Sequence, residues 1–341
     1  MQATALNLFC TALRLGAALA FVALNACAGN QSAVGNSVAR HGLSVAEANR
    51  IVAAFQEARE EKGAKIDVKS LDDVLVILKS DNLDNFPAAA AFLEGQSSNE
   101  ALALRAQLEL AWGEAQQILS ELLERAQQSL AKQRQKLDAR EASGRGLNEQ
   151  EIADANQLQK TLENIDNVVL SLERLAKEHF DAGGKLARQL IEKAPSDYHG
   201  YRVIADYYHL VGDWESFDKA VQKLEQSNPS SIGLLFARGM EQLDRYGDAR
   251  KAADYFKKAL ERDPDFMRAE VQLLLLQQDI PDAYRQYQAL MKRSPGHQIV
   301  RWAGPVITRS YQTWVLQLRR TEEFNRRQDN STGNAKNAVN Q

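Results

Sequence analysis

The chain of 341 residues has only two cysteines and seven prolines, and runs of Val, Ile and Thr are scarce. Both cysteines, Cys10 and Cys27, lie within the first 27 residues, so the rest of the chain carries neither a disulfide nor a zinc–thiolate site. Ala, Leu, Gln, Glu, Lys and Arg dominate instead, and these residues favour helices over strands. We therefore predict an all-α fold.

The chain also lacks an excess of charge of one sign. Its 42 Lys and Arg residues nearly balance its 45 Asp and Glu residues, which gives a formal net charge of −3. This balance gives the whole chain no attraction to nucleic acid, and we predict no nucleic-acid partner. No glycine-rich phosphate loop, nucleophile motif in a suitable setting or cluster with metal-ligand spacing is evident. We predict no catalytic residue, no metal, no cofactor and no enzymatic activity.

The N-terminus has the pattern of a signal peptide. Arg14 is followed by an apolar stretch over 15–24 that is too short to span a bilayer. The stretch ends in Leu24-Asn25-Ala26-Cys27, which resembles the lipobox of bacterial lipoproteins, where a signal peptidase cuts before the cysteine. One alternative is an ordinary secretory cleavage at Ala26-Cys27-Ala28, which releases a soluble protein. Another is an uncleaved membrane anchor or a cytosolic helix.

The lipobox resemblance implies that residues 1–26 are removed and that Cys27 is the lipidation site. The small polar residues over 27–42 are typical of a flexible tether. Ala28 follows the cysteine where an aspartate would retain an enterobacterial lipoprotein at the inner membrane. The resemblance therefore implies a lipid-anchored protein that faces the periplasm, and it favours the outer membrane over the inner one.

Helical patterns begin after the tether. Residues 43–96 predict an N-terminal helical segment, with a first helix from Ser44 and short helices over 71–78 and 88–93. The second short helix is entered through Pro87, at a position that favours proline.

A long antiparallel helical hairpin is predicted over residues 97–180. Ser97 with Glu100 forms a capping box at its start, the turn falls at 142–146, and the return helix begins at Asn148. The return helix carries a heptad seam. The seam residues are Leu158, Leu162, Ile165, Val169, Leu172 and Ala176.

Four prolines recur at a nearly constant spacing after the hairpin. They are Pro195, Pro229, Pro264 and Pro295. They are separated by 34, 35 and 31 residues, and a Gly-Asp pair recurs between them at 212–213 and 247–248. A period near 34 residues that ends in proline predicts a stack of two-helix repeats over 181–296.

The apolar faces of these repeats match a known pattern. The unit that ends at Pro264 presents Phe236, Gly239, Met240, Leu243, Ala252, Phe256 and Ala259. The unit before it presents Tyr201, Ile204, Ala205, Tyr208, Phe217, Val221 and Leu224. These faces are similar to the tetratricopeptide repeat (TPR) family. The resemblance implies a solenoid of three to four repeats, capping helices over 297–327 and, from composition, a disordered tail over 328–341.

The TPR resemblance implies a concave groove that binds a peptide or a protein segment. The candidate groove residues are His199, Arg202, Asp206, His209, Glu241, Asp244 and Arg245. Lipidated TPR proteins commonly serve as adaptors, scaffolds or assembly factors in bacterial envelopes, and we expect such a role here, with a protein partner and attachment to the membrane through the N-terminal lipid. The alternative is a solute-binding component of an envelope transport system, in which an apolar cavity lies between residues 43–110 and the repeats.

Overall fold

The computed structural model describes residues 67–339, which form α-helices joined by short turns and contain no strand. The prediction of an all-α fold is therefore confirmed for this part of the chain. The signal peptide over 1–26, the lipidation site Cys27, the tether over 27–42 and the helix expected from Ser44 lie outside the described residues.

Eleven α-helices are present within residues 67–339. They are α1 (Leu71–Ser80), α2 (Phe86–Leu93), α3 (Asn99–Arg140), α4 (Glu149–Lys193), α5 (Tyr198–Val211), α6 (Trp214–Ser227), α7 (Ile232–Asp244), α8 (Ala249–Arg262), α9 (Met267–Leu276), α10 (Ile280–Arg293) and α11 (Gln298–Val339).

Local capping signals set many of these boundaries. Asn148, where the sequence predicts the start of the return helix, caps α4 through a reciprocal capping box with Glu151. The helix α3 begins one residue later than predicted, because the side chain of Ser98, not Ser97, accepts a hydrogen bond from the backbone N–H of Ala101. Aspartates occupy the equivalent N-cap position of α5, α6, α8 and α10. These are Asp197, Asp213, Asp248 and Asp279.

The long hairpin is formed by α3 and α4, which have the most extensive contact of any two described helices. All six predicted seam residues of α4 face this hairpin, with Leu162 partly buried and the others buried. However, α4 does not end near residue 180. It continues to Lys193, so the helix predicted before Pro195 belongs to the return arm of the hairpin.

Two neighbouring glycines fit this continuous helix because other side chains occupy the space beside them. A Cβ atom on Gly183 would lie 2.7 Å from Leu110 of α3, and one on Gly184 would lie 2.8 Å from Tyr207 of α5. A side chain at either position would displace the neighbouring Leu110 or Tyr207. The glycines therefore allow α4 to pack closely against α3 and α5, and they do not interrupt the helix.

The next four helices form two helical hairpins, α5–α6 and α7–α8, which pack in sequence. Gly212 and Gly247 adopt left-handed conformations in their turns, with φ of 72° and 66°. The third hairpin differs, because α9 is shorter and α10 has its most extensive contact with α11. Each of the four recurring prolines lies two residues beyond the end of a helix, namely α4, α6, α8 or α10.

The C-terminal segment is one helix and not several. α11 runs without interruption through the range predicted for capping helices, 297–327, and into the range predicted to be a disordered tail, 328–341. No proline interrupts the chain after Pro305, so composition provides no sharp stop for this helix.

The helix α3 covers part of the surface of the helix pairs. Leu104 and Leu108 of α3 pack with α1 and α2, whereas Ala106 and Leu110 pack in a cluster with α4 to α7. Further along, Ile118 packs against the cluster formed by α9, α10 and α11. Thus α3 lies against α5 and α9, the first helices of two pairs, on the side where the sequence predicts an open groove.

Candidate functional site

Charged and polar side chains meet where α3 faces the helix pairs, a region that we call the polar interface. Its members are Asp81, Glu114, Glu121, Arg202, Asp206, His209, Asp244, Arg268 and His297. They come from the end of α1, from α3, α5, α7 and α9, and from the residue before α11. Acidic residues outnumber the arginines in this set, so the net charge of the polar interface depends on which groups carry protons.

Arg268 of α9 connects two acidic residues across the polar interface. Its Nη1 lies 2.6 Å from Oε2 of Glu114 on α3, and its Nη2 lies 3.7 Å from Oδ2 of Asp81. Burial alone would lower the pKa of Arg268, but the two carboxylates outweigh that effect and raise it. Arg268 is therefore charged at every relevant pH and holds α3 to α9.

Asp81 is a buried carboxyl group that interacts with Arg268 and with the backbone of Ile299. It is 3% exposed, caps the C-terminal end of α1 and adopts a left-handed conformation with φ of 46°. Burial raises its pKa to about 6, although Arg268 opposes the rise. Its Oδ2 lies 3.6 Å from Nδ1 of His297, a nitrogen with no hydrogen-bond partner. Burial lowers the pKa of His297 to about 4, so this imidazole is neutral.

His209 and Asp244 form a second pair, which links α5 to α7. Nε2 of His209 lies 2.8 Å from Oδ2 of Asp244. Burial acts to lower the pKa of His209, but the contact with Asp244 outweighs it and the pKa rises. One turn earlier on α5, burial raises the pKa of Asp206, with partial opposition from Arg202. Both shifts favour the protonated forms.

Glu121 of α3 is the least satisfied acidic residue of the polar interface. It is 8% exposed, and neither carboxyl oxygen has a hydrogen-bond partner. The nearest cation is Arg125, whose Nη2 lies 3.9 Å from Oε2. Burial raises the pKa of Glu121 to about 7, Arg125 lowers it in part, and Glu124 and Asp244 raise it further. The side chain therefore gains or loses a proton near neutral pH.

The seven predicted groove residues fall into two groups. Arg202, Asp206, His209 and Asp244 lie in the polar interface, where α3 adjoins them. The other three lie outside it and are paired within the chain: His199 with Asp197, Glu241 with Arg238 and Arg245, and Arg245 also with Asp218. Their role in binding a partner stays a prediction.

Five members of the polar interface are missing from the sequence-based prediction. They are Asp81, Glu114, Glu121, Arg268 and His297. One signal for two of them exists in α3, where Glu114 and Glu121 are seven residues apart on the face that also carries the partly buried Ile118. The partners on α1, α9 and α11 leave no such local signal, because they come together only in the tertiary fold.

A second surface lies at the turns of the first two helix pairs, and we call it the aromatic edge. It consists of Val211, Trp214, Arg245 and Tyr246. The guanidinium of Arg245 lies 5.7 Å from the ring centre of Trp214 and 5.3 Å from that of Tyr246. Tyr246 is 57% exposed, and Val211 is exposed as well. This surface joins an aromatic platform to a positive charge.

Within residues 67–339, no group of three or more His, Cys, Asp or Glu side chains is arranged to hold a metal ion. No helix in the same range combines the length and apolar composition needed to cross a membrane. The predicted absence of metals, cofactors and catalytic residues stays a prediction.

Comparisons with known proteins give no family assignment. No protein-family model matches the chain, and no curated protein matches it either.

Proposed function

We propose that this protein is a lipid-anchored, periplasm-facing adaptor or scaffold of the bacterial cell envelope, with TPR-like helix pairs that bind another protein. The observation that supports this proposal is the repetition of one unit in α5–α6 and α7–α8. Both pairs have helices of 13 or 14 residues, a left-handed glycine followed by a capping aspartate, and a proline after the second helix. Repeated helix pairs of this kind form extended surfaces for binding.

The aromatic edge is the surface that we assign to the partner. The face of α5 that carries the predicted groove residues adjoins α3, and this leaves little of the groove accessible to a peptide. By contrast, Tyr246 and Arg245 are accessible at the turns, and Tyr, Trp and Arg are the residues that most often dominate protein–protein binding. Arg245 is the predicted groove residue that also belongs to this edge.

Photo-crosslinking tests the assignment of the partner surface. A photoreactive amino acid in place of Tyr246 should give a discrete crosslinked product in intact cells. The same amino acid in place of Ile152, which is 48% exposed near the tip of the hairpin, is the matched control. Replacement of Arg245 by Ala should weaken the product from position 246. If position 246 gives no discrete product, or gives the product of position 152, the aromatic edge is not the binding surface.

The membrane attachment is tested separately. Cys27→Ser should abolish labelling with a radioactive fatty acid and release the protein from the membrane fraction. Cys10→Ser is the matched control, because Cys10 lies in the predicted leader, and it should leave labelling unchanged. Labelling that persists in Cys27→Ser would contradict the lipid anchor and leave the proposal for the aromatic edge intact.

A further inference from the structure

Asp81 connects the first described helix to the last through both its backbone and its side chain. Its carbonyl oxygen accepts a hydrogen bond of 3.0 Å from the backbone N–H of Gln298, the first residue of α11. Its carboxyl oxygen Oδ2 lies 3.6 Å from Nδ1 of His297. Asp81 and His297 are both 3% exposed, so the contact is buried.

The charges around Asp81 do not neutralise it fully. Arg268 of α9 faces it at 3.7 Å, but this guanidinium is closer to Glu114 of α3, at 2.6 Å. Lys79, on the same helix as Asp81, pairs instead with Asp263 at 3.5 Å. One arginine therefore serves two carboxylates, and the more distant one is the more deeply buried.

Because the imidazole of His297 is neutral, its contact with Asp81 depends on whether the carboxyl group of Asp81 is protonated. The ring forms a hydrogen bond with the backbone of Lys79, and because Nδ1 has no partner, Nε2 is the nitrogen that does so. Nδ1 therefore presents a lone pair to Asp81. A lone pair repels an ionised carboxylate but accepts a hydrogen bond from a protonated carboxyl group.

We propose that Asp81 and His297 form a proton-dependent clasp between α1 and α11. The clasp is closed when the protonated carboxyl of Asp81 donates an O–H···N hydrogen bond to Nδ1 of His297. It is weakened when that proton leaves to water, because a buried carboxylate then shares Arg268 with Glu114 and faces a lone pair. At 3.6 Å the two atoms are outside hydrogen-bond range, so closing the clasp brings them closer together.

The raised pKa of Asp81, about 6, sets the pH range in which the clasp responds. The folded chain holds this proton more tightly than the unfolded chain, where the carboxyl has its ordinary pKa of 3.8. The clasp is therefore strongest at low pH and weakens as the pH rises through 6. The separation of the two pKa values corresponds to about a hundredfold change in the opening equilibrium.

Hydrogen exchange of the full-length chain tests the clasp. Peptides that cover 71–81 and 298–306 should lose about tenfold in protection between pH 5 and pH 8, after correction for intrinsic exchange rates, because the opened carboxyl is already mostly ionised at pH 5. Peptides that cover α6, which does not contain the pair, report the loss of global stability, to which Glu121 also contributes. If protection of 71–81 does not depend on pH, the proposal is overturned.

Two variants separate the clasp from general effects of pH. Asp81→Asn keeps a residue that tolerates the left-handed conformation but has no titratable proton, and its α1 should lose about tenfold less protection between pH 5 and pH 8 than α1 of the native chain. Asp84→Asn alters an exposed carboxylate three residues away and should behave like the native chain. His297→Gln should reduce protection at pH 5. A native-like pH profile in Asp81→Asn would overturn the proposal, even if the native chain shows the expected profile.

Discussion

Replacement of Glu121 by Gln should make the protein more stable at alkaline pH. Glu121 is buried in the polar interface, its two carboxyl oxygens have no hydrogen-bond partner, and Arg125 lies at 3.9 Å. At pH 8 this group is mostly ionised, and ionising a buried carboxyl without full compensation destabilises the folded state. Gln has nearly the same shape and cannot ionise, so the substitution removes the pH-dependent part of this destabilisation.

The magnitude follows from the two pKa values of Glu121. Its pKa is about 7 in the folded chain and 4.5 as the ordinary value. A carboxyl with a raised folded pKa favours folding most below its unfolded pKa, and this contribution is lost as the pH rises through the folded pKa. Between pH 5 and pH 8 the loss is about 2–3 kcal/mol. Between pH 5 and pH 8, the free energy of unfolding of Glu121→Gln should therefore rise by about 2 kcal/mol relative to that of the native chain.

Urea unfolding at pH 5 and at pH 8 provides the measurement, followed by circular dichroism and by tryptophan fluorescence to verify that the transitions coincide. The quantity of interest is the change with pH in the difference between variant and native free energies of unfolding, because contributions from Asp81 and Asp206 cancel in it. Glu141→Gln, at an exposed position near the tip of the hairpin, is the matched control. The reasoning is refuted if Glu121→Gln and native chains show the same change with pH.

Two further substitutions test how α3 is held. Arg268→Met should lower the free energy of unfolding by about 3–5 kcal/mol in urea titrations, because it leaves the buried Asp81 and the partly buried Glu114 without their shared cation; an unchanged value would show that the arginine is not needed. Gly113→Ala should lower the free energy of unfolding by about 1–3 kcal/mol, because the new Cβ would lie 2.7 Å from the ring of Phe180. This loss is expected although Ala has a higher helix propensity than Gly. Phe180→Leu in the same chain should recover part of that loss in thermal unfolding, and no recovery would indicate strain elsewhere.

Helix positions were predictable from the sequence because their signals are local. The helix start at Asn148, the Gly-Asp turns and the four recurring prolines depend on signals within a few residues, and the structure places helix ends at all of them. The prediction of a helix boundary near residue 180 was wrong for a different reason. The boundary came from the period of the prolines, but α4 continues to Lys193, and Gly183 and Gly184 are helical with Leu110 and Tyr207 packed closely against them.

The composition of the polar interface was only partly predictable. Periodicity identified Arg202, Asp206 and His209 as a polar face of α5, but it cannot say which other helix covers that face. The covering helix, α3, is about 90 residues earlier in the chain, and the remaining partners come from α1, α9 and α11. Contacts between residues so far apart in sequence produce no periodic pattern that could be recognised in one amino-acid sequence.

The polar interface also constrains how the helix pairs can be used. Because Glu114 pairs with Arg268 while Ala106 and Leu110 pack among α4 to α7, α3 belongs to the core of the described fold. Releasing it from the first helices would expose both apolar surface and unpaired carboxylates, and both changes oppose release. For a partner that binds the native protein, the exposed turns of the aromatic edge are therefore more accessible than the predicted groove. The protonation of Asp81 and Glu121 then changes the stability of the fold without exposing that groove.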